Sequence, residues 1–313
     1  MCVNKLHFLF IKENMKKNIF NGVGTALITP FKNGSIDFGA LEIILEKQLE
    51  AKIDALIVLG TTGEPANITP KERKNIIDFC KKKINGKTKL IIGCGSNNTK
   101  TAINLYRQAE NIGADGALIV TPYYNKCTQN GLIEHYKNIS KFGNLPIIVY
   151  NVPSRTGFNI LPKTMYELSK IKNIYGLKEA SGNINQIMDN FALCGQSTSI
   201  YSGDDLLNSI FYSLGGSGCI SVLSNIFPKL CKKLYKLNCN KEYEKMFILQ
   251  HKLSPLIKSL FLEVNPIGIK AGLNYLGLCK NELRLPLTTI SNENFDILKN
   301  EINKVIGFEN DYL

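Results

Sequence analysis

Ile174-Tyr175-Gly176-Leu177-Lys178-Glu179-Ala180-Ser181-Gly182 is the segment on which the fold of this chain turns. A short apolar run is closed by a lysine and followed at once by a turn. A strand ending on lysine puts an amine at the carboxyl edge of a sheet, and in a parallel α/β barrel that edge holds the chemistry. A free lysine titrates near ~10.4, but burial favours the uncharged amine, which can attack a ketone and form a Schiff base. The plainer alternative is a lysine that snorkels from a strand end into water. Lys178 alone does not separate the two.

Outward from this segment, short apolar runs alternate with amphipathic stretches. Strands are predicted at Thr25–Ile28, Ala55–Leu59, Leu90–Ile92, Ala117–Val120, Ile147–Tyr150, Ile174–Lys178, Ile200–Ser202 and Cys219–Val222. The helices between them carry end signals. Leu41, Ile44, Leu45 and Leu49 share one face after Asp37. Thr69-Pro70-Lys71-Glu72 is a capping box with proline at the first helical position, opening a helix through Ile84. Ala102, Leu105, Ala109 and Ile112 run to a terminating Gly113. Strands in strict alternation with helices, eight of them, predict a (β/α)8 TIM barrel. A doubly wound open sheet is the alternative, but no G-x-G-x-x-G follows the first strand. From about residue 227 the patterns are helical, and they exceed one barrel helix. The expected organisation is an N-terminal extension at 1–17, the barrel at 18–226 and a C-terminal helical bundle at 227–313 packed on it.

With 313 residues, 44% of them hydrophobic, the chain can bury one core of barrel size. No run approaches the ~18 apolar residues of a membrane span. Leu6–Ile11 is short for a signal-peptide core and no small-residue cleavage site follows, so a cytoplasmic protein with no membrane partner is expected. The nine cysteines are scattered without a C-x-x-C pair, and His7, His135 and His251 are the only histidines. No zinc site can be assembled from that spacing, and reduced thiols suit a cytosolic chain. The net charge of +12 raises nucleic acid as a partner, but the lysines are dispersed. Clusters such as Lys81-Lys82-Lys83 sit at the ends of helical patterns, where cations suit the helix dipole. No nucleic-acid partner is expected; the basic field would help attract anionic metabolites.

Polar residues recur just past the predicted strand ends. Gly60-Thr61-Thr62-Gly63-Glu64 follows the second strand, and its hydroxyls and glycine-flanked amides can hold a carboxylate. Thr121-Pro122-Tyr123-Tyr124-Asn125 follows the fourth. Tyr150 ends the fifth, where a phenol can shuttle protons. The loop Asn151-Val152-Pro153-Ser154-Arg155-Thr156-Gly157 then carries Arg155, a permanent fork for a carboxylate, over the mouth. Ser202-Gly203-Asp204-Asp205 follows the seventh, with either aspartate a candidate N-cap. Taken singly, each also reads as structure: a glycine turn, packed tyrosines, a surface ion pair, a cap.

Together the motifs say more. GTTGE, TPYYN, YNVPSRTG, GLKEASG and SGDD, in this order and each beside a strand end, resemble the 4-hydroxy-tetrahydrodipicolinate (dihydrodipicolinate) synthases of the pyruvate-dependent class I aldolase superfamily. The resemblance spans about residues 18–305. It implies that Lys178 forms an imine with pyruvate and that Tyr150 gives and takes protons for imine formation and the carbon–carbon step. Thr61 would link Tyr150 to Tyr124, a tyrosine the family borrows from the neighbouring subunit. A homo-oligomer is therefore implied, a homotetramer built from two tight dimers. Thr62 and the backbone at Ile220 would hold pyruvate, and Gly203 would lie beside the imine. Arg155 would bind the carboxylate of the second substrate, L-aspartate 4-semialdehyde. The implied product is 4-hydroxy-2,3,4,5-tetrahydrodipicolinate, on the diaminopimelate route to lysine. No metal or organic cofactor is implied, because the protonated imine is itself the electron sink.

Other activities share part of this set. N-acetylneuraminate lyases and keto-deoxy sugar acid aldolases have the lysine and the tyrosine but not the arginine of the YNVPSRTG loop. A non-catalytic barrel that binds a keto acid would have no use for Lys178, Tyr150, Thr61 and Tyr124 together. Inhibition by L-lysine, frequent in the family, is expected to be absent. Ala66, Asn97 and Tyr123 match lysine-sensitive relatives, but Pro70 and Arg73 replace two histidines and Thr101 replaces the glutamate that grips the lysine amine.

Overall fold

The computed structural model of the protein describes residues 18–313, so the extension expected at 1–17 lies outside the described residues. Eight parallel strands close into a barrel. They are β1 Gly22–Ala26, β2 Ala55–Val58, β3 Lys89–Gly93, β4 Gly116–Val120, β5 Ile147–Asn151, β6 Ile174–Glu179, β7 Ser199–Ser202 and β8 Gly218–Ser221. Each pairs with the next, and β8 returns to β1 in a register running from Gly22↔Gly218 to Thr25↔Ser221. The TIM barrel expected from the alternation is the observed fold. Strands of such a sheet are covered on both faces, which is why Ala55-Leu56-Ile57-Val58 is an unbroken apolar run, buried throughout.

The first strand departs from its sequence prediction, spanning Gly22–Ala26 rather than Thr25–Ile28. Glycines read as strand breakers, but here close packing demands one. A β-carbon on Gly24 would lie 2.7 Å from Ile57 Cδ1 and 3.0 Å from Phe20 Cζ. Phe20 stacks on Tyr201 with 4.4 Å between centroids and accepts the Tyr201 hydroxyl at its carbonyl, filling the interior just ahead of β1. A hairpin of Phe31–Lys32 with Ser35–Ile36 was not anticipated, although its Asn33-Gly34 turn, both residues at positive φ, is a strong hairpin signal.

The barrel is covered by α1 Phe38–Glu50, α2 Pro70–Ile84, α3 Thr99–Ile112, α4 Gln129–Ser140, α5 Pro162–Ser169, α6 Ile184–Cys194 and α7 Asn208–Ser213. The Thr69 capping box forms as expected, and Gly113 ends α3 in the left-handed region. Side chains alternate along each strand. Ile57, Ile91, Leu118, Ile148 and Ile220 fill the barrel, while Leu56, Ile92, Ile119, Val149 and Leu177 pack outward against the helices. After β8 the longer elements are α8 Pro228–Cys239, α9 Tyr243–Ser259, α10 Ile267–Tyr275 and α11 Asn292–Glu309. These helices pack on one another, α8 packs against β1, and the segment leading into α10 returns to the barrel mouth. Among the described residues no helix is long and apolar enough to cross a membrane.

Candidate active site

Tyr150 and Lys178 are direct partners in the β5–β6 pairing, at the carboxyl end of the barrel. Tyr150 packs with the interior residues, and the Lys178 amine lies 4.2 Å from the centroid of its ring. Lys178 is 5% exposed, so it does not snorkel into water. The next pair in register, Asn151 and Glu179, makes a separate polar cluster. There the buried Glu179 carboxylate accepts from Asn151 Nδ2 at 3.1 Å, Gln186 Nε2 at 3.2 Å, Asn190 Nδ2 at 3.1 Å and the Ser181 amide at 2.6 Å. This cluster locks the strand ends that carry Tyr150 and Lys178. Both strands run one residue past their sequence predictions because Asn151 and Glu179, polar and so read as loop, find buried partners.

Gly203 follows β7, and its amide donates to the Glu179 carbonyl at 2.8 Å. A β-carbon there would stand 3.0 Å from Lys178 Cε and 2.8 Å from Ala180 Cβ, so only glycine leaves the lysine stem its room. Ile220 on β8 is buried in the same interior. Of the two aspartates, Asp204 is the cap, accepting from the Leu206 amide, and burial pushes its carboxyl upward. Asp205 instead fixes the turn after β8, its buried carboxylate accepting from the amides of Val222 and Leu223 at 2.8 and 2.9 Å.

At the mouth, Thr61–Gly63 form one 3-10 turn and Glu64 follows in the left-handed region. Thr62 is buried. The fully buried Glu64 carboxylate pairs with Lys270 of α10, whose ammonium lies 3.9 Å from the centroid of Phe31. Burial pulls the Lys270 pKa down, and Glu64 acts against that. Arg155 sits on a single helical turn, Pro153–Thr156, and its Nη2 donates to the carbonyl of Asn265 at 3.0 Å. The Asn265 side chain donates to Thr62 Oγ1, also at 3.0 Å. A cavity of about 670 Å³ opens here, with Thr61, Tyr123, Tyr150, Arg155 and Asn265 in its wall. Lys178 is outside that wall and meets it through the ring of Tyr150.

The barrel end thus gathers Lys178, Tyr150, Gly203 and Ile220, and its mouth gathers Thr61, Thr62 and Arg155. Tyr124 stands apart, 91% exposed and at φ 65°. Among the described residues no hydrogen bond joins it to Thr61 or Tyr150. The positions of Glu64, Lys270, Asn265 and Asp205 in this scaffold are not signalled by the sequence. The partners of Glu64, Lys270 and Asn265 lie far off along the chain, 206 residues in the case of Lys270, and those of Asp205 lie past the next strand, so no local pattern announces them.

The arrangement offers a buried amine beside a phenol, with a guanidinium over the entrance. The buried thiols of Cys80, Cys94 and Cys194 are poor nucleophiles, because burial pushes them up to about 12. Among the described residues no three His, Cys, Asp or Glu side chains group as metal ligands.

Residues 19–305 match the model of the Dihydrodipicolinate synthetase family. The chain is 51% identical over 282 residues to the 4-hydroxy-tetrahydrodipicolinate synthase of Caldicellulosiruptor saccharolyticus, covering 90% of this chain and 95% of that protein. It superposes on the dihydrodipicolinate synthase of Thermotoga maritima with a TM-score of 0.90 at 44% identity, covering 92% and 99% of the two chains. A chloride-inhibited dihydrodipicolinate synthase of Acinetobacter baumannii, solved in complex with pyruvate, superposes with a TM-score of 0.89 at 36% identity, over 92% and 99%. A match of this extent, on a barrel that carries the lysine and tyrosine side by side, means that the chain belongs to the dihydrodipicolinate synthetase family.

Proposed function

We propose that this chain condenses pyruvate with L-aspartate 4-semialdehyde through an imine on Lys178. The observation that carries the proposal is the Lys178 amine, buried and 4.2 Å from the centroid of the Tyr150 ring. The amine attacks the pyruvate ketone, and loss of water leaves a protonated imine. That imine withdraws electrons from the adjacent methyl group, which gives up a proton to form an enamine. The enamine carbon attacks the aldehyde of the second substrate, whose oxygen takes a proton. The substrate's own amino group then attacks the imine carbon, closing the ring and releasing Lys178. Tyr150 carries the protons. No step requires a metal or an organic cofactor, since the imine supplies the electron sink.

Thr62 and the Ile220 backbone hold the pyruvate carboxylate, and the smallness of Gly203 leaves space for the imine. The pyruvate complex of the Acinetobacter relative supports pyruvate as the first substrate. Arg155, permanently charged at the cavity wall, suits the carboxylate of the semialdehyde. Tyr124 completes the relay through Thr61 from a second copy of the chain. Its exposure and its left-handed backbone, rare for a bulky residue, support a role at a subunit contact. The assembly is a homotetramer, a dimer of dimers, working in the cytoplasm. A coupled assay with pyruvate and aspartate semialdehyde tests the proposal: wild type turns over and Lys178→Ala does not. Full activity in Lys178→Ala would refute it.

A further inference from the structure

We infer that Asn265, in the segment between α9 and α10, is a positioning residue that orients the Thr62 hydroxyl toward the carboxylate of pyruvate. This rests on the pyruvate site proposed above. Asn265 is 6% exposed, and its Nδ2 donates to Thr62 Oγ1 at 3.0 Å. A threonine hydroxyl has one proton to give and two lone pairs, whereas an amide N–H can only donate. With one lone pair engaged by Asn265, Thr62 keeps its own proton for another acceptor. Nothing among the described residues takes that proton, and a substrate carboxylate would accept it in a charge-assisted bond. Turned the other way, the Asn265 amide would take the proton itself. It would also bury two N–H donors where Oδ1 now has no partner.

Residue 265 therefore reaches both carboxylate-recognising groups, Thr62 through its side chain and Arg155 through its backbone carbonyl. Side-chain substitutions separate the two. In Asn265→Ala the pyruvate KM should rise roughly three- to ten-fold, the scale of one hydrogen bond. The semialdehyde KM should stay within about two-fold, and kcat should change little. Asn265→Asp should raise the pyruvate KM roughly ten-fold further, since a carboxylate there takes the Thr62 proton and repels the substrate. Because Asn265 acts through Thr62, adding Asn265→Ala to Thr62→Val should change the pyruvate KM no further. Asn265→Ser, which keeps a short donor, should fall between wild type and alanine and replaces the alanine variant if that fails to fold. The inference is overturned if Asn265→Asp leaves the pyruvate KM unchanged, or if both substrates weaken in parallel. Thr62→Val with an unchanged pyruvate KM would instead remove the pyruvate site itself, and the inference with it.

Discussion

An amine and a phenol on neighbouring strands divide the proposed chemistry, so their substitutions should fail differently. Tyr150→Phe keeps the ring beside Lys178 and removes only the proton carrier; turnover measured with both substrates should fall roughly 10²–10⁴-fold. Near-normal rates would take Tyr150 out of its assigned role. Arg155→Ala should weaken use of the semialdehyde while pyruvate still forms its imine, which borohydride trapping would separate from turnover. Tyr150 and Lys178 were readable in the sequence because each closes an apolar strand, so its place at the carboxyl edge follows from the strand; Arg155 was readable only through the loop that follows Tyr150. Asn265 was not: nothing near it in sequence points to Thr62, 203 residues away. Likewise Asp205 looks like a second N-cap until the backbone amides of Val222 and Leu223 are seen around its carboxylate.

Elements beyond the barrel hold its mouth in place. The turn Thr61–Gly63 is tied to the C-terminal region by Asn265 and, through Glu64, by Lys270 of α10. Removing one partner of a buried ion pair leaves an uncompensated charge, so Lys270→Met should lower the unfolding free energy by about 3–5 kcal/mol in urea denaturation. Glu64→Gln/Lys270→Met should lose clearly less than the two single changes summed; additive losses would mean the two groups are not coupled. A second contact between elements is pH-sensitive. His135 on α4 lies with Nδ1 3.0 Å from Thr99 Oγ1 on α3, and burial pulls its pKa from 6.5 down to about 4. The folded state therefore holds the neutral ring, and below pH 6.5 the unfolded chain binds the proton first. The contribution is complete above 6.5 and is lost as pH falls toward 4, on the order of 3 kcal/mol. Thermal melts of wild type and His135→Gln across that window should differ in slope, the wild type losing more stability; equal slopes would mean that another group is responsible. Helix ends, by contrast, were readable at residue level: the caps made by Thr69, Glu72 and Gly113 are local, so those partners are visible in the sequence, although Glu72 also pairs with the distant Arg284. The start of β1 was not, because Gly24 answers to Ile57 and Phe20 across the barrel rather than to its neighbours.

For the whole molecule, the proposed relay, with Tyr124 supplied by a second copy, would require an assembly. Light scattering should report a homo-oligomer, and Tyr124→Phe should lower turnover without preventing pyruvate from binding; a fully active monomer would contradict this. Regulation should be weak. Arg73 is buried, donates from Nη2 to the Gly93 carbonyl at 2.7 Å and shares the cavity wall with Ala66, Pro70 and Thr101. A fixed cation there, with threonine in place of a carboxylate, disfavours an incoming ammonium. L-lysine should therefore not half-inhibit below about a millimolar, a scale of ~4 kcal/mol. The most direct measurement of the central claim is borohydride reduction of the full-length protein with pyruvate, followed by peptide mapping of the adduct. One reduced pyruvate per chain, on Lys178 and absent without pyruvate, is the predicted result; an adduct on any other lysine, or none at all, would contradict it.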